Sequence, residues 1–345
     1  MKEKDTTKYV AGIDGGGTKT ACMVADDHGK ILSYVIMDGS NHQICGLSLA
    51  AKNVVKAVQL ACSYAGISQN KLSYIFLGMA GADLPEDIKN LTAVFRKEFH
   101  EIPFTVVNDR WNVFACEAND WGAVSVCGTG SSMAVIDKKG KIYSTRALRY
   151  MLGNYGGGNH LTEMAMHHAF RCDEHTGPYT RLVEELPSYC NCSTMDELAN
   201  RIYSSNYSYH LKYNIPKLIF HTAHEGDGVC IKAINDMGTE LGTMIAGLIK
   251  KAGLESEAIP VVLSGSMYVM DEHQQLIKPL EVRLKSTVPY AELQIVKCPP
   301  VIGAVIMGLN QLSIRLSPEV KEKMKTYNRV DYRHNITISD ATKEE

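Results

Sequence analysis

A segment that recurs within one chain constrains its fold more tightly than composition does, and this chain repeats itself at an offset of 111 residues. Residues 12–32 read GIDGGGTKTACMVADDHGKIL, and residues 126–143 read VCGTGSSMAVIDKKGKIY. Gly17 and Thr18 match Gly128 and Thr129. Val24, Asp26, Gly29, Lys30 and Ile31 match Val135, Asp137, Gly140, Lys141 and Ile142. Each copy reads as an apolar strand, a glycine-hydroxyl turn, a second apolar strand and a polar turn before Gly-Lys-Ile. A duplicated strand-turn-strand unit predicts two related domains facing one cleft, each offering backbone N–H groups that hold a polyphosphate.

The rest of the chain fits that size. Its 345 residues correspond to about two or three domains. With 45% hydrophobic and 21% charged residues it has the composition of a globular chain. A formal net charge of −2 and scattered Lys and Arg exclude a nucleic-acid surface or a basic arm. The N-terminus MKEKDTTKY lacks the apolar region of a signal peptide, and runs such as VIGAVIMGL are too short to span a bilayer. The ten cysteines are spread mostly singly through apolar stretches, which is reduced, cytoplasmic usage. Cys190 and Cys192 form the one close pair, without CxxC spacing. Without secretion the sequons at Asn90, Asn191, Asn206 and Asn335 carry no meaning.

Periodicity organises the first half as three strands over 9–36, a helix over 46–66, a strand over 72–83, a helix over 84–100, a strand over 103–109 and a helix over 110–119. The second half restarts at 122–137, passes through the turn GNYGGGN (153–159) and enters a helical insertion over about 160–250. It ends with strands at 259–267 and 291–297 and a helix at 299–312, and the polar tail from about 325 is expected to be loosely held. The expected domains are 1–119 and 120–345, both α/β with a mixed sheet flanked by helices.

The turn DGGGTKT (14–20) is no Walker loop, because Thr18 stands where Lys is required and a strand follows instead of a helix. Its glycines permit positive φ and close backbone approach, so that successive N–H groups can point at an anion. Glycines used only for hairpin geometry are the alternative, and the same holds for CGTGSS (127–132). Asp14 stands at the strand end, placed to hold a water of Mg²⁺ or to form an Asx turn. Asp109 follows an apolar strand, where α/β folds bind ligands and where a carboxylate can take a proton from a hydroxyl attacking phosphorus. It equally fits as the N-cap of the next helix. Gly265-Ser266 closes another strand, as a ligand turn or as a plain strand-to-helix turn. His167-His168 and His221/His224 lack a metal-binding spacing and read as solvated or core residues.

Taken in order, GIDGGGTKT, SNH, LGMAGAD, VVND, CGTGS, AHEGD, LSGS and PPVIGA resemble the N-acetylglucosamine kinase and BadF/BadG/BcrA/BcrD ATPase family of the actin–hexokinase–Hsp70 superfamily, over residues 9 to about 312. The resemblance implies two ribonuclease-H-like (actin-like ATPase) domains around a central cleft that closes over ATP and Mg²⁺. It implies that Thr18 and Thr129 bind the phosphates, with Gly16, Gly17, Lys19 and Gly128 beside them, and that Asp14 supports Mg²⁺ through water. Asp109 would be the catalytic base and would also hydrogen-bond the sugar. Asn41, Ser131, Ser132 and Asn154 would meet the sugar. Ala223, Gly226, Gly265 and Ser266 would line the nucleotide pocket. The chain departs from the family where the kinases carry WG…GDEGS: here Leu148-Arg149 replace Trp-Gly, Asn154 replaces Asp and Tyr155 replaces Glu. An amide that donates and accepts thus replaces an acceptor-only carboxylate, which leaves the identity of the sugar open. The Fe–S cysteine pair of the dehydratase activators has no counterpart here.

The leading expectation is therefore a cytoplasmic ATP-dependent kinase of an amino sugar resembling N-acetylglucosamine. Its partner would be a small sugar, with no nucleic acid or membrane and with a homodimer as a candidate assembly. The alternatives are a nucleotide- or sugar-binding regulator with degraded catalysis, and an ATPase that drives a partner protein.

Overall fold

The strand-turn-strand repeat nucleates two five-stranded sheets in a computed structural model that describes residues 7–117, 121–148, 150–209, 213–296 and 298–327. The first half supplies β1 (Tyr9–Gly15), β2 (Lys19–Asp26), β3 (Ile31–Asp38), α1 (His42–Cys45), α2 (Leu47–Tyr64), β4 (Leu72–Met79), α3 (Pro85–Phe99), β5 (Phe104–Asn108) and α4 (Arg110–Glu117). Its sheet runs β3-β2-β1-β4-β5, with β1–β2 and β2–β3 antiparallel and β1–β4 and β4–β5 parallel. β1 and β2 are almost wholly apolar or small because both sheet faces are covered. On one face Val54, Ala57, Val58 and Ala61 of α2 and Leu91, Phe95 and Phe99 of α3 close the core.

The second half supplies β6 (Gly122–Cys127), β7 (Ser131–Ile136), β8 (Ile142–Ser144), α5 (Gly158–Asp173), α6 (Leu182–Tyr189), α7 (Met195–Ser204), α8 (Ile215–His224), α9 (Gly228–Lys251), β9 (Pro260–Ser264), α10 (Ser266–Met270), α11 (Ile277–Lys285) and β10 (Glu292–Ile295). The order β10-β9-β6-β7-β8 is the first sheet over again, with the same parallel and antiparallel pairs. The two β-hairpins match bond for bond at their polar turns. Asp26 N–H donates to the Lys30 carbonyl at 3.1 Å, and Asp137 N–H to the Lys141 carbonyl at 2.9 Å. The Asp26 carboxylate accepts from the N–H groups of His28 and Lys30, as that of Asp137 does from Lys139 and Lys141. Gly29 and Gly140 stand at φ 79° and 80°, a conformation that glycine adopts without a Cβ penalty.

The glycine turns differ by one residue. Gly15 pairs with Thr20 across four turn residues, whereas Cys127 pairs with Ser131 across three. The register therefore sets Val126, not a carboxylate, at the strand position that Asp14 holds in the first sheet.

The chain divides into two compact units, Met1–Asn119 with Val296–Glu345, and Asp120–Ile295. The closing helix α12 (Val301–Gln311) thus belongs to the first unit, where the sequence reading had placed 299–312 in the second. The reason is packing: a Cβ on Gly12 would meet Val305 N at 2.6 Å, and one on Gly308 would meet a Val10 methyl at 2.4 Å. Val301, Ile302, Val305, Ile306 and Leu309 are all buried. At about 1.5–3 kcal/mol each, their burial contributes on the order of 10 kcal/mol gross. After α12, α13 (Pro318–Lys325) returns to α4 through an ion pair of Lys325 with Glu117 at 2.9 Å. Tail residues 328–345, Lys297 and Arg149 lie outside the described residues. Among the described residues no helix is long and apolar enough to cross a membrane.

Candidate active site

In the first unit, the parallel strands β1, β4 and β5 end side by side. Asp14 pairs with Gly78 across β1–β4, and Met79 with Asn108 across β4–β5. Asp14 and Asp109 therefore stand at the ends of the two strands that flank β4. Asp109 stands directly before α4: the Asn108 side-chain oxygen takes the Arg110 N–H at 3.1 Å, the Asp109 carboxylate also draws on the Arg110 backbone, and the Asp109 backbone carbonyl bonds Asn112 N–H at 3.0 Å. Burial pushes the Asp109 carboxyl up to about 7, the nearby Asp14 adds to the rise, and Arg110 pulls against it. Asp14 is also raised, by burial, against a hydrogen bond from Asn112.

Asn112 and Arg110 were missed in the sequence. Asn112 is fully buried, and its Nδ2 donates to the Ile13 carbonyl at 3.0 Å and to Asp14 Oδ1 at 3.1 Å, which fixes the carboxylate. Arg110 is a buried cation set near both Asp83 and Asp109. Asp83 accepts from Asn108 Nδ2 at 2.9 Å, and so joins the loop after β4 to the end of β5. The signal was present as Asn-Asp-Arg-x-Asn at 108–112, but nothing local says that Asn112 turns back toward β1.

The glycine turn closes by Gly16 N–H to the Lys19 carbonyl at 2.8 Å, and leaves the N–H groups of Gly17 and Thr18 without a backbone partner among the described residues. Its glycines are not at positive φ, in contrast to the expectation. Space is the reason for them. A Cβ on Gly15 would meet Ser40 Oγ at 2.6 Å and Met79 Sδ at 2.7 Å. The Gly16 carbonyl accepts from Ser40 N–H at 2.9 Å and Asn41 N–H at 3.2 Å, which ties the turn to the Ser-Asn-His segment. Asn41 caps α1, its Oδ1 accepting from Gln43 N–H at 2.9 Å. His42 Nε2 lies 3.1 Å from an Asp87 oxygen. Lys19 is exposed at the start of β2.

In the second unit, the turn Gly128–Gly130 sits in a cradle of backbone. The Gly128 carbonyl accepts from Gly158 N–H at 2.7 Å, and that of Thr129 from Asn159 N–H at 3.1 Å. Here positive φ is required: Gly157 stands at φ 94° with Gly130 Cα 2.5 Å from its absent Cβ, and Gly265 at φ 114° with the Cys127 carbonyl at 2.2 Å. Gly265 caps α10, and Ser266 is its first residue. Ala223 is buried on α8, and Gly226 turns the chain at φ 95° into α9.

The departed loop is closed on itself. Ser131 Oγ donates to the Tyr155 carbonyl at 2.5 Å and approaches Asn154 Oδ1 at 3.3 Å, while Asn154 Nδ2 donates to the Ser131 carbonyl at 3.2 Å. A carboxylate at 154 would lack that last donor. Ser131 is buried, so it and Asn154 position each other, and Ser132, half-buried on β7, is the more exposed of the two serines. Tyr155 lies against His160 at 4.3 Å between ring centroids, and Tyr150 stacks on that ring at 5.4 Å.

Comparison with known proteins gives the same reading. Residues 11–308 match the model of the BadF/BadG/BcrA/BcrD ATPase family. The N-acetyl-D-glucosamine kinase of Dictyostelium discoideum is 26% identical over 312 residues, covering 87% of this chain and 97% of that protein. The N-acetylmuramic acid/N-acetylglucosamine kinase of Clostridium acetobutylicum is 23% identical, covering 88% and 99%. Among solved structures, a candidate N-acetylglucosamine kinase from Chromobacterium violaceum superposes with a TM-score of 0.71 at 14% identity, over 87% of this chain and 98% of that one.

Proposed function

Because the chain belongs to the BadF/BadG/BcrA/BcrD ATPase family, we propose that it is an ATP-dependent kinase that phosphorylates a hydroxyl of an amino sugar, with Asp109 as the base. The observation that carries this reading is the Asp109 carboxyl, placed directly after β5 and raised to about 7 by burial and by the nearby Asp14. A base of that strength is half-ionised near neutrality and accepts a proton from a sugar hydroxyl as its oxygen attacks phosphorus. The relatives support the class of acceptor, since both are amino-sugar kinases over nearly their whole length.

Other residues divide the remaining tasks. The N–H groups of Gly17 and Thr18, and the turn Gly128-Thr129, bind phosphate oxygens. Lys19 adds a positive charge beside the first turn. Ala223, Gly226, Gly265 and Ser266 hold the nucleoside, and Asn41 and Ser132 meet the sugar, with Ser131 and Asn154 shaping that loop from behind. The residues fit a magnesium ion shared with the nucleotide. Burial raises both carboxyls, and the charge of Asp14 adds to the rise at Asp109, which a neighbouring cation would relieve. Among the described residues no cluster of three His, Cys, Asp or Glu could cage a metal alone, which suits an ion held largely by water and phosphates. Asp14 would hold it, and it would neutralise charge on the transferring phosphoryl group. Asn112 keeps Asp14 in place for that task.

ADP release measured across a panel of amino sugars tests the proposal. Sugar-dependent release is expected. Release that ignores the sugar would assign the chain as a partner-driving ATPase, and binding without turnover as a regulator. A homodimer remains a proposal that sedimentation can check.

A further inference from the structure

A groove of about 640 Å³ in the second unit runs between α9 and α11 and has no part in the chemistry above. It exists because the two helices touch backbone to backbone. A Cβ on Gly238 would meet the Leu276 carbonyl at 2.2 Å, and one on Gly242 the Leu280 carbonyl at 2.5 Å. Beside that contact, Asn235 and Thr239 of α9 face Lys278 and Arg283 of α11 over Pro279 and Val282. The volume lies in the range of small-molecule sites.

Arg283 is held without a counter-ion. Its Nε donates to Thr243 Oγ1 at 2.9 Å, and one terminal nitrogen donates to Ser286 Oγ at 2.9 Å and Thr287 Oγ1 at 3.3 Å, all neutral acceptors. Among the described residues neither Arg283 nor Lys278 joins an ion pair, and two carboxylates of the same helices are already paired. Glu281 binds Lys285, and Asp236 binds Lys232. Asp236 and Glu240 bear on Tyr155. Asp271 is buried, its oxygens taken by the N–H groups of Leu276 and Ile277. A guanidinium fixed by hydroxyls forms charge-assisted bonds to an oxyanion with little further loss of side-chain freedom.

We propose that this groove binds a phosphorylated sugar, its phosphate on Arg283 and Lys278 and its hydroxyls on Asn235 and Thr239. The segment His273–Gln275 lines one end of the groove and touches α8: Gln275 Nε2 reaches the Ala223 carbonyl at 3.5 Å, and the His273 ring stacks on His224 at 3.6 Å. Occupancy therefore alters nucleotide affinity at Ala223, a consequence that rests on the proposed function, whereas the binding itself does not.

The test is calorimetric titration of the full chain with glucose 6-phosphate, glucuronate and glucose. Saturable binding of glucose 6-phosphate is expected, weakened at least tenfold by Arg283→Gln and several-fold by Lys278→Gln, an exposed side chain whose loss leaves the melting temperature unchanged. Glucose is expected to give no saturable heat. Tighter binding of glucuronate than of glucose 6-phosphate would overturn the phosphate assignment. The proposal also fails if glucose 6-phosphate does not bind, or if both variants bind it as the wild type does, since the probe then occupies another site. Absence of kinase turnover alongside normal binding would instead count against the proposed function alone.

Discussion

Asp109 carries two costs that a neutral amide removes. Asp109→Asn is expected to retain nucleotide binding and to lower kcat by about 10²–10⁴; turnover within tenfold of wild type would refute the base. For the wild type, kcat/KM is expected to fall about tenfold per pH unit below about 7, because the base must be ionised and its carboxyl is raised to that value. The same shift has a stability consequence. A carboxyl with a folded pKa above its unfolded value near 3.9 binds protons better when folded, so its ionisation opposes folding increasingly from about pH 4 to 7. Asp109→Asn is therefore expected to stabilise the protein on the order of 1–3 kcal/mol at pH 8 and less at pH 5, read by denaturant melts. An equal gain at both values would show that ionisation is not the cause. The position of Asp109 directly after an apolar strand was legible. The work of Asn112 was not, because its partner Asp14 is 98 residues away.

At the level of elements, the repeat was the most legible part of the chain, down to Asp26 and Asp137 closing equivalent hairpins. What the glycines do was less so. The turn glycines were read as permitting both positive φ and close approach, and at Gly15 only the second holds, since Ser40 and Met79 fill the space its side chain would need. Sequence shows which residue is small; only distant neighbours show why. Gly303 on α12 is the sharpest case, with the Asn112 carbonyl 1.7 Å from where a Cβ would stand. Gly303→Ala is expected to cost ~1–3 kcal/mol or more and to reduce activity by moving Asn112 from Asp14, as followed by melts and ADP release. Unchanged activity in a destabilised variant would separate Asn112 from catalysis. The Ser131–Asn154 clasp was equally hidden, because a change from carboxylate to amide was visible but its partner was not.

Across the whole molecule, a helical period marked α12 but could not say which sheet it would cover, since α12 is apolar on nearly every face. A chain ending at Ile295 is expected to lose the first sheet's cooperative unfolding while keeping the protease resistance of Asp120–Ile295. Proteolytic protection of residues 9–117 in that truncation would show that α12 is dispensable. The return of α12 also sets an order of events during translation. Although the first unit begins at the N-terminus, it lacks one cover of its sheet until the ribosome has made about 194 residues beyond Glu117 and completed α12 at Gln311. At the usual 5–20 residues per second that interval is roughly 10–40 s. For that time β1 and β4 stand exposed on one side in the nascent chain, and the second unit, though later in sequence, is the first able to finish folding.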